Sequence, residues 1–164
     1  MQETIICNTG PIIALAGIQK LDVLKHIFGT VIIPEPVRIE ILTGGKTLIG
    51  LDEFLKAGWL TVKELNQQPD PLLSNLLDQG EASVIHIARE MGIDRILMDE
   101  RKGRRVAREI YGLKVTGTIR VLVEAKKAGL IENLEASIQE IRNSGYWIHD
   151  KIIQRALKES GADK

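Results

Sequence analysis

The chain has 164 residues, 44% of them hydrophobic and 27% charged, a composition that suits a globular fold with a full core. Lys plus Arg equals Asp plus Glu at 22 each, so net charge gives no support for nonspecific nucleic-acid binding and leaves only a local basic patch open. The lone Cys7 excludes an intramolecular disulfide, no stretch approaches the ~18 apolar residues of a membrane span, and Gln2 and Glu3 stand where a signal peptide would be basic; a cytoplasmic protein is expected.

Thr4 to Cys7 reads as a short buried strand. Asn8, Thr9 or Gly10 can cap the helix that follows, with Pro11 in its first turn. A second helix is expected from about Leu21 to Phe28, closed by Gly29. Val31-Ile32-Ile33 is a strand. Pro34 and Pro36 then open a helix with Val37, Ile41 and Leu42 on its apolar face, ended by Thr43-Gly44-Gly45. A helix over about Leu51 to Ala57 leads through Gly58 to the run Trp59-Leu60-Thr61-Val62. Asn66 to Pro71 is the most loop-like stretch. Gly80 precedes a strong helix from Glu81 to about Met91, whose Val84, Ile85, Ile87 and Ala88 follow helical spacing and which Gly92 stops. Arg95 to Met98 is the next strand. A helix over Glu100 to Tyr111, a strand over Leu113 to Val115 and a helix over Gly117 to Ala128 come next. Two amphipathic helices, about Ile131 to Asn143 and His149 to Glu159, complete the chain.

Short strands alternating with helices predict an α/β fold, a mostly parallel sheet covered on both faces in three α/β/α layers. No internal repeat or linker divides residues 1–164, which read as one domain whose last two helices, about 131–160, form its C-terminal part. Two of the apolar runs stop at oxygen-bearing side chains, Cys7 at Asn8 and Met98 at Asp99-Glu100. Ligands of open α/β sheets sit just beyond the carboxyl ends of the strands. The two stops therefore predict a site, with Glu40 and Glu81 as candidates to complete it.

Five ordered segments make the sequence recognisable. They are Cys7-Asn8-Thr9-Gly10-Pro11-Ile12-Ile13-Ala14-Leu15, Ile33-Pro34-Glu35-Pro36-Val37, Gly80-Glu81-Ala82-Ser83, Met98-Asp99-Glu100-Arg101 with Gly103-Arg104-Arg105-Val106-Ala107, and Val115-Thr116-Gly117-Thr118. Together they resemble the PIN-domain superfamily, in its branch of prokaryotic nucleic-acid-binding proteins. The resemblance implies a three-layer PIN-like fold and a Mg²⁺- or Mn²⁺-dependent ribonuclease. It puts catalytic acids at Glu40, Glu81 and Asp99, and metal-holding groups at Asn8, Glu81, Asp99 and the close rival Glu100. Mg²⁺ prefers oxygen ligands, and carboxylates supply both oxygens and charge. Asn8 offers an oxygen without the charge. RNA, an antitoxin protein and a second copy of the chain are the partners expected on this reading, and a membrane is not.

Arg101 to Arg108 holds five basic residues in eight. Beside an acidic site, Arg101, Arg104 and Arg105 can bind RNA phosphates, with Thr116 and Thr118 bringing hydroxyls near. Helical spacing groups Arg101, Arg104, Arg105 and Arg108, and turns Lys102 elsewhere.

Each residue also has a structural reading. Asn8 and Asp99 suit helix caps, and so do Thr116 and Thr118. Glu81 suits a helix first turn, and Glu40 and the arginines suit solvated faces. His26, His86 and His149 lack metal-ligand spacing. Gly45-Lys46-Thr47 imitates the end of a phosphate loop, but Glu40 stands where that motif needs Gly. A receiver-type phosphoacceptor domain would want adjacent acids after the first strand, and Asn8-Thr9 does not supply them. Two functions remain: a metal-dependent ribonuclease, favoured by Glu40, Glu81 and Asp99, or a catalytically weakened PIN-like domain that binds RNA or protein, favoured by Asn8.

Overall fold

A computed structural model describes residues 3–44 and 50–160 of the chain. Gln2, Gly45 as a helix stop and the Gly45-Lys46-Thr47 segment lie outside the described residues. Among the described residues five strands form one sheet: β1 (Thr4–Cys7), β2 (Thr30–Pro34), β3 (Thr61–Lys63), β4 (Arg95–Leu97) and β5 (Lys114–Thr116). Their order is β3-β2-β1-β4-β5, and every neighbouring pair is parallel. Ile6 lies opposite both Ile32 and Ile96, and Ile96 lies opposite Val115. Parallel strands are buried on both faces, which is why β1 and β2 read as unbroken apolar runs. Burying a side chain such as Ile5, Ile6 or Ile33, none of which has exposed surface, contributes about 1.5–3 kcal/mol.

Among the described residues ten helices surround the sheet: α1 (Thr9–Gly17), α2 (Val23–Ile27), α3 (Glu35–Thr43), α4 (Leu51–Lys56), α5 (Pro71–Leu76), α6 (Gln79–Met91), α7 (Arg101–Glu109), α8 (Thr118–Lys127), α9 (Leu134–Asn143) and α10 (Asp150–Ser160). In one layer α8 packs on α1, α2, α9 and α10. In the other, α6 lies on β1, β2 and β4 and meets α5 and α7, while α3 touches both α1 and α6. The fold is a three-layer α/β/α sandwich. α1 is apolar nearly all round because it is buried between layers, with Ile12, Ala14 and Leu15 in the core. Cys7 is buried too, and burial pushes its thiol pKa up. No helix among the described residues is long and apolar enough to cross a membrane.

The structure corrects the expected elements at several points. The stretch up to Pro71 was expected to be loop, yet Pro71 opens α5. Asp70 caps that helix by accepting from Leu73 N at 2.9 Å, and Pro suits its first position because no N–H is needed there. α6 begins at Gln79 rather than after Gly80, because Asp78 and Glu81 form a capping box. α2 ends before Gly29: Phe28 is already extended, and Gly29 N donates to Glu3 O at 2.9 Å to start the next strand. Trp59 and Leu60 precede β3, whose Thr61 and Val62 are exposed because the strand lies at the sheet edge. β5 sits one residue later than expected. Glu100 and Gly117 are N-caps rather than helical residues.

β1 stands mid-sheet, with β2 and β3 added on one side and β4 and β5 on the other. The carboxyl ends of β1 and β4 therefore meet where the strand order reverses, the place α/β sheets reserve for ligands. Asn8 N donates to Leu97 O at 2.9 Å and carries the ladder one residue past the strands.

Candidate functional site

Asn8 occupies the N-cap position of α1, but its side chain makes no capping hydrogen bond. Its Oδ1 turns instead toward Gly80 at the start of α6. A methyl group at Gly80 would lie 2.9 Å from Glu40 Oε1, 3.4 Å from Asn8 Oδ1 and 3.5 Å from Asp78 Oδ1. Three oxygens from three different segments thus gather around one bare backbone position. The neighbouring Thr9 hydroxyl is buried without a hydrogen-bond partner.

Glu81 is the third residue of α6 and only 6% exposed. Its backbone N donates to Asp78 Oδ1 at 2.8 Å, and its Oε1 accepts from Asp78 N at 3.4 Å. Its Oε2 is buried with no partner among the described residues and points at Gly103 of α7, where a methyl would lie 2.7 Å away. Burial, Asp78 and the charge of Glu100 push the Glu81 carboxyl up to about 7.

Asp99 is engaged differently. Its Oδ1 accepts from Thr118 N at 2.7 Å, and its Oδ2 accepts from the Thr118 hydroxyl and from Tyr146 Oη, each at 2.5 Å. It therefore caps α8 and ties the C-terminal segment to β4. Burial and Asp99 together push the Tyr146 hydroxyl pKa up. Glu100 is exposed at the N-cap of α7 and makes no capping bond.

The basic stretch divides. Arg101, Arg105 and Arg108 are exposed, while Arg104 turns inward and donates from Nη1 to Met98 O at 2.8 Å. Arg104 Nη1 and Asp99 Oδ1 both approach Gly117, at 2.8 and 2.9 Å from where a methyl would sit. Thr116 accepts from Met98 N through its backbone oxygen at 2.9 Å, and the Thr118 side chain is fully buried. His86 pairs with Glu90 at 3.1 Å, away from this group.

A PIN-domain family model matches residues 4–162, nearly the whole chain. The chain belongs to the PIN-domain family. Searches of curated proteins and of solved structures give no match. Membership brings a nuclease-type fold, and PIN domains generally depend on divalent metal. The donors of this PIN domain are all oxygens, as a hard cation requires. They include the orphaned, buried Glu81 Oε2. Among the described residues, however, no group of three or more His, Cys, Asp or Glu side chains converges closely enough to enclose an ion.

Two residues of this PIN domain escaped sequence reasoning. Asp78 carried a signal, the Asp-x-x-Glu spacing of a capping box. Tyr146 carried none: it lies in an irregular stretch, and only the fold brings it to Asp99.

Proposed function

We propose that this PIN domain is a divalent-metal-dependent ribonuclease acting with Mg²⁺ or Mn²⁺, and that it serves as the toxin of a toxin–antitoxin pair in the cytoplasm. The reading rests on Glu81 Oε2, a buried carboxylate oxygen without a partner beside the crevice between β1 and β4. Leaving such an acceptor unsatisfied costs about 1–3 kcal/mol, and a cation would offset it. Glu81, Glu40 and the Asn8 carbonyl would hold the ion, with Asp99 and Glu100 close by; one or two carboxylates with water suffice for Mg²⁺. When bound, such an ion polarises a phosphate and makes hydroxide available from water. The chain's own groups do the rest. Without the ion the Glu81 carboxyl stands near 7, so at neutral pH it would give up its proton as the ion binds. Asp99 keeps one orientation under Thr118 and Tyr146. Arg101 and Arg105 face solvent and can meet RNA phosphates. An antitoxin protein and a second copy of the chain are the proposed protein partners.

A second reading, an RNA- or protein-binding PIN domain without cleavage, is favoured by Asn8, which brings no charge, and by Asp99, whose oxygens are already bonded. Calorimetric titration with Mn²⁺, run beside an RNA cleavage assay, separates the two. The ribonuclease reading expects weak binding by the natural chain, tighter binding by Asn8→Asp and cleavage lost in Glu81→Gln. Equal affinity in both proteins would remove position 8 from the metal shell. RNA binding with neither metal binding nor cleavage would select the second reading.

A further inference from the structure

Among the described residues β5 pairs only with β4, so its other edge has no strand beside it. α7 and α8 flank that edge, and between them lies a cavity of about 560 Å³. Its volume falls within the range of about 300–1,000 Å³ typical of ligand sites. Arg104 and Arg108 reach it from α7 and Arg120 from α8, while Arg95 and Glu3 line it near the start of the sheet.

The cations differ in what they already hold. Arg95 is paired with Glu3 at 2.7 Å. Arg120 is paired with Glu124 at 3.1 Å and with Glu159 at 2.7 Å. Arg104 and Arg108 form no ion pair with a carboxylate among the described residues. Arg104 holds a backbone carbonyl, and Arg108 Nη2 reaches Val115 O only at 3.4 Å. Burial and then the charge of Arg108 pull the Arg104 pKa down, against Asp99, which acts the other way. Glu3 and Glu124 on the same cavity are taken by Arg95 and Arg120, and Asp99 lies near Arg104 without pairing with it, so two guanidinium forks remain without a direct carboxylate partner among the described residues, a geometry that matches a phosphate. The cavity also reaches Gly117, which Asp99 Oδ1 approaches from the other side. It therefore opens beside the acidic crevice.

We propose that this groove along the open edge of β5 takes a phosphodiester of single-stranded RNA, gripped between Arg104 and Arg108, as the strand leaves the crevice. RNA as the ligand rests on the ribonuclease reading; the phosphate does not.

Fluorescence anisotropy of a short labelled oligouridylate on the full chain in EDTA, where no cleavage occurs, tests it across a salt series. Arg108→Ala is expected to weaken binding about tenfold and to flatten the plot of log K against log salt by about 0.7, the share of one single-strand phosphate contact. Arg108→Lys keeps the charge and should keep the slope. Lys102→Ala, on another side of α7, should change binding less than Arg108→Ala does. An unchanged slope in Arg108→Ala, with its fold intact by circular dichroism, overturns the groove. Uridine monophosphate that binds in an Arg108-dependent way, while the oligouridylate ignores Arg108, also overturns it and assigns the cavity to a free nucleotide. A cleavage assay with Mn²⁺ keeps the two readings apart. A natural chain that does not cleave but needs Arg108 to bind loses the ribonuclease reading and keeps the groove. One that cleaves, with binding indifferent to Arg108, does the reverse.

Discussion

Glu81 joins a buried carboxyl to pH-dependent stability. An isolated Glu titrates near 4.5, and in the fold this one titrates near 7. The folded state therefore holds the proton more tightly than the unfolded chain does. The stabilisation is fully present below about pH 4.5 and is lost as pH rises through about 7. In metal-free protein this group should account for a loss of up to about 3 kcal/mol between pH 4 and pH 8. Glu81→Gln keeps the shape of the protonated acid and should lack that loss. Denaturant unfolding at both pH values tests this: the variant should be the more stable protein at pH 8 and no more stable at pH 4. Parallel pH curves for the two proteins would show that folding does not raise the Glu81 carboxyl. The places of Asn8, Glu81 and Asp99, at strand ends and a helix start, were legible in the sequence because apolar runs and capping residues mark them. Their bonds were not. Nothing near Asp99 in the chain shows that Tyr146, 47 positions away, will occupy its oxygen.

The start of α6 ties a structural device to the proposed site. Asp78 caps the helix and its charge raises the Glu81 carboxyl, so the two roles can be separated by substitution. Asp78→Asn keeps a good cap and removes the charge; stability should change by less than about 0.5 kcal/mol, and Glu81 should titrate lower. Asp78→Ala should cost about 1 kcal/mol through the lost cap. NMR titration of the Glu81 side chain, with unfolding curves of both variants, checks the pair. An unchanged Glu81 midpoint in Asp78→Asn would break the link. Element existence was readable for α6, where Val84, Ile85 and Ile87 keep helical spacing over a long run. α5 was missed although Asp70-Pro71 is a start signal, because the polar residues before it suggested a loop. On α7 helical spacing put four arginines near one face, but the structure divides them, with Arg104 turned inward and Arg101, Arg105 and Arg108 exposed. Spacing could not say that Arg104 alone finds the Met98 carbonyl at the end of β4.

Across the whole molecule, the hydrogen bond from Tyr146 to Asp99 fastens the segment after α9 to the end of β4. A hydrogen bond to a charged acceptor contributes about 1.5–3 kcal/mol. Tyr146→Phe should lose an amount in that range in denaturant unfolding, and the natural Tyr146 should stay un-ionised in an alkaline absorbance titration that ionises Tyr in the unfolded chain. A variant as stable as the natural chain would show that Thr118 alone satisfies Asp99. The parallel, doubly covered sheet was readable from the alternation of apolar runs and helices. Strand order was not, since apolar runs identify strands without saying which of them will be neighbours.

That strand order also fixes when the crevice can exist. Ile6 of β1 pairs with Ile32 on one side and with Ile96 on the other. A chain growing from its N-terminus has the first partner long before the second, and the longer loop adds only about 1.1 kcal/mol to closure. Until β4 is made, Asn8 stands on an open strand edge with no Leu97 carbonyl to bond. Asp99 is secured later still, when Thr118 and then Tyr146 have been synthesised. An unfinished or truncated chain therefore carries the first acids of the crevice without the geometry to use them, and on the ribonuclease reading proposed above, assembly order becomes a safeguard during translation.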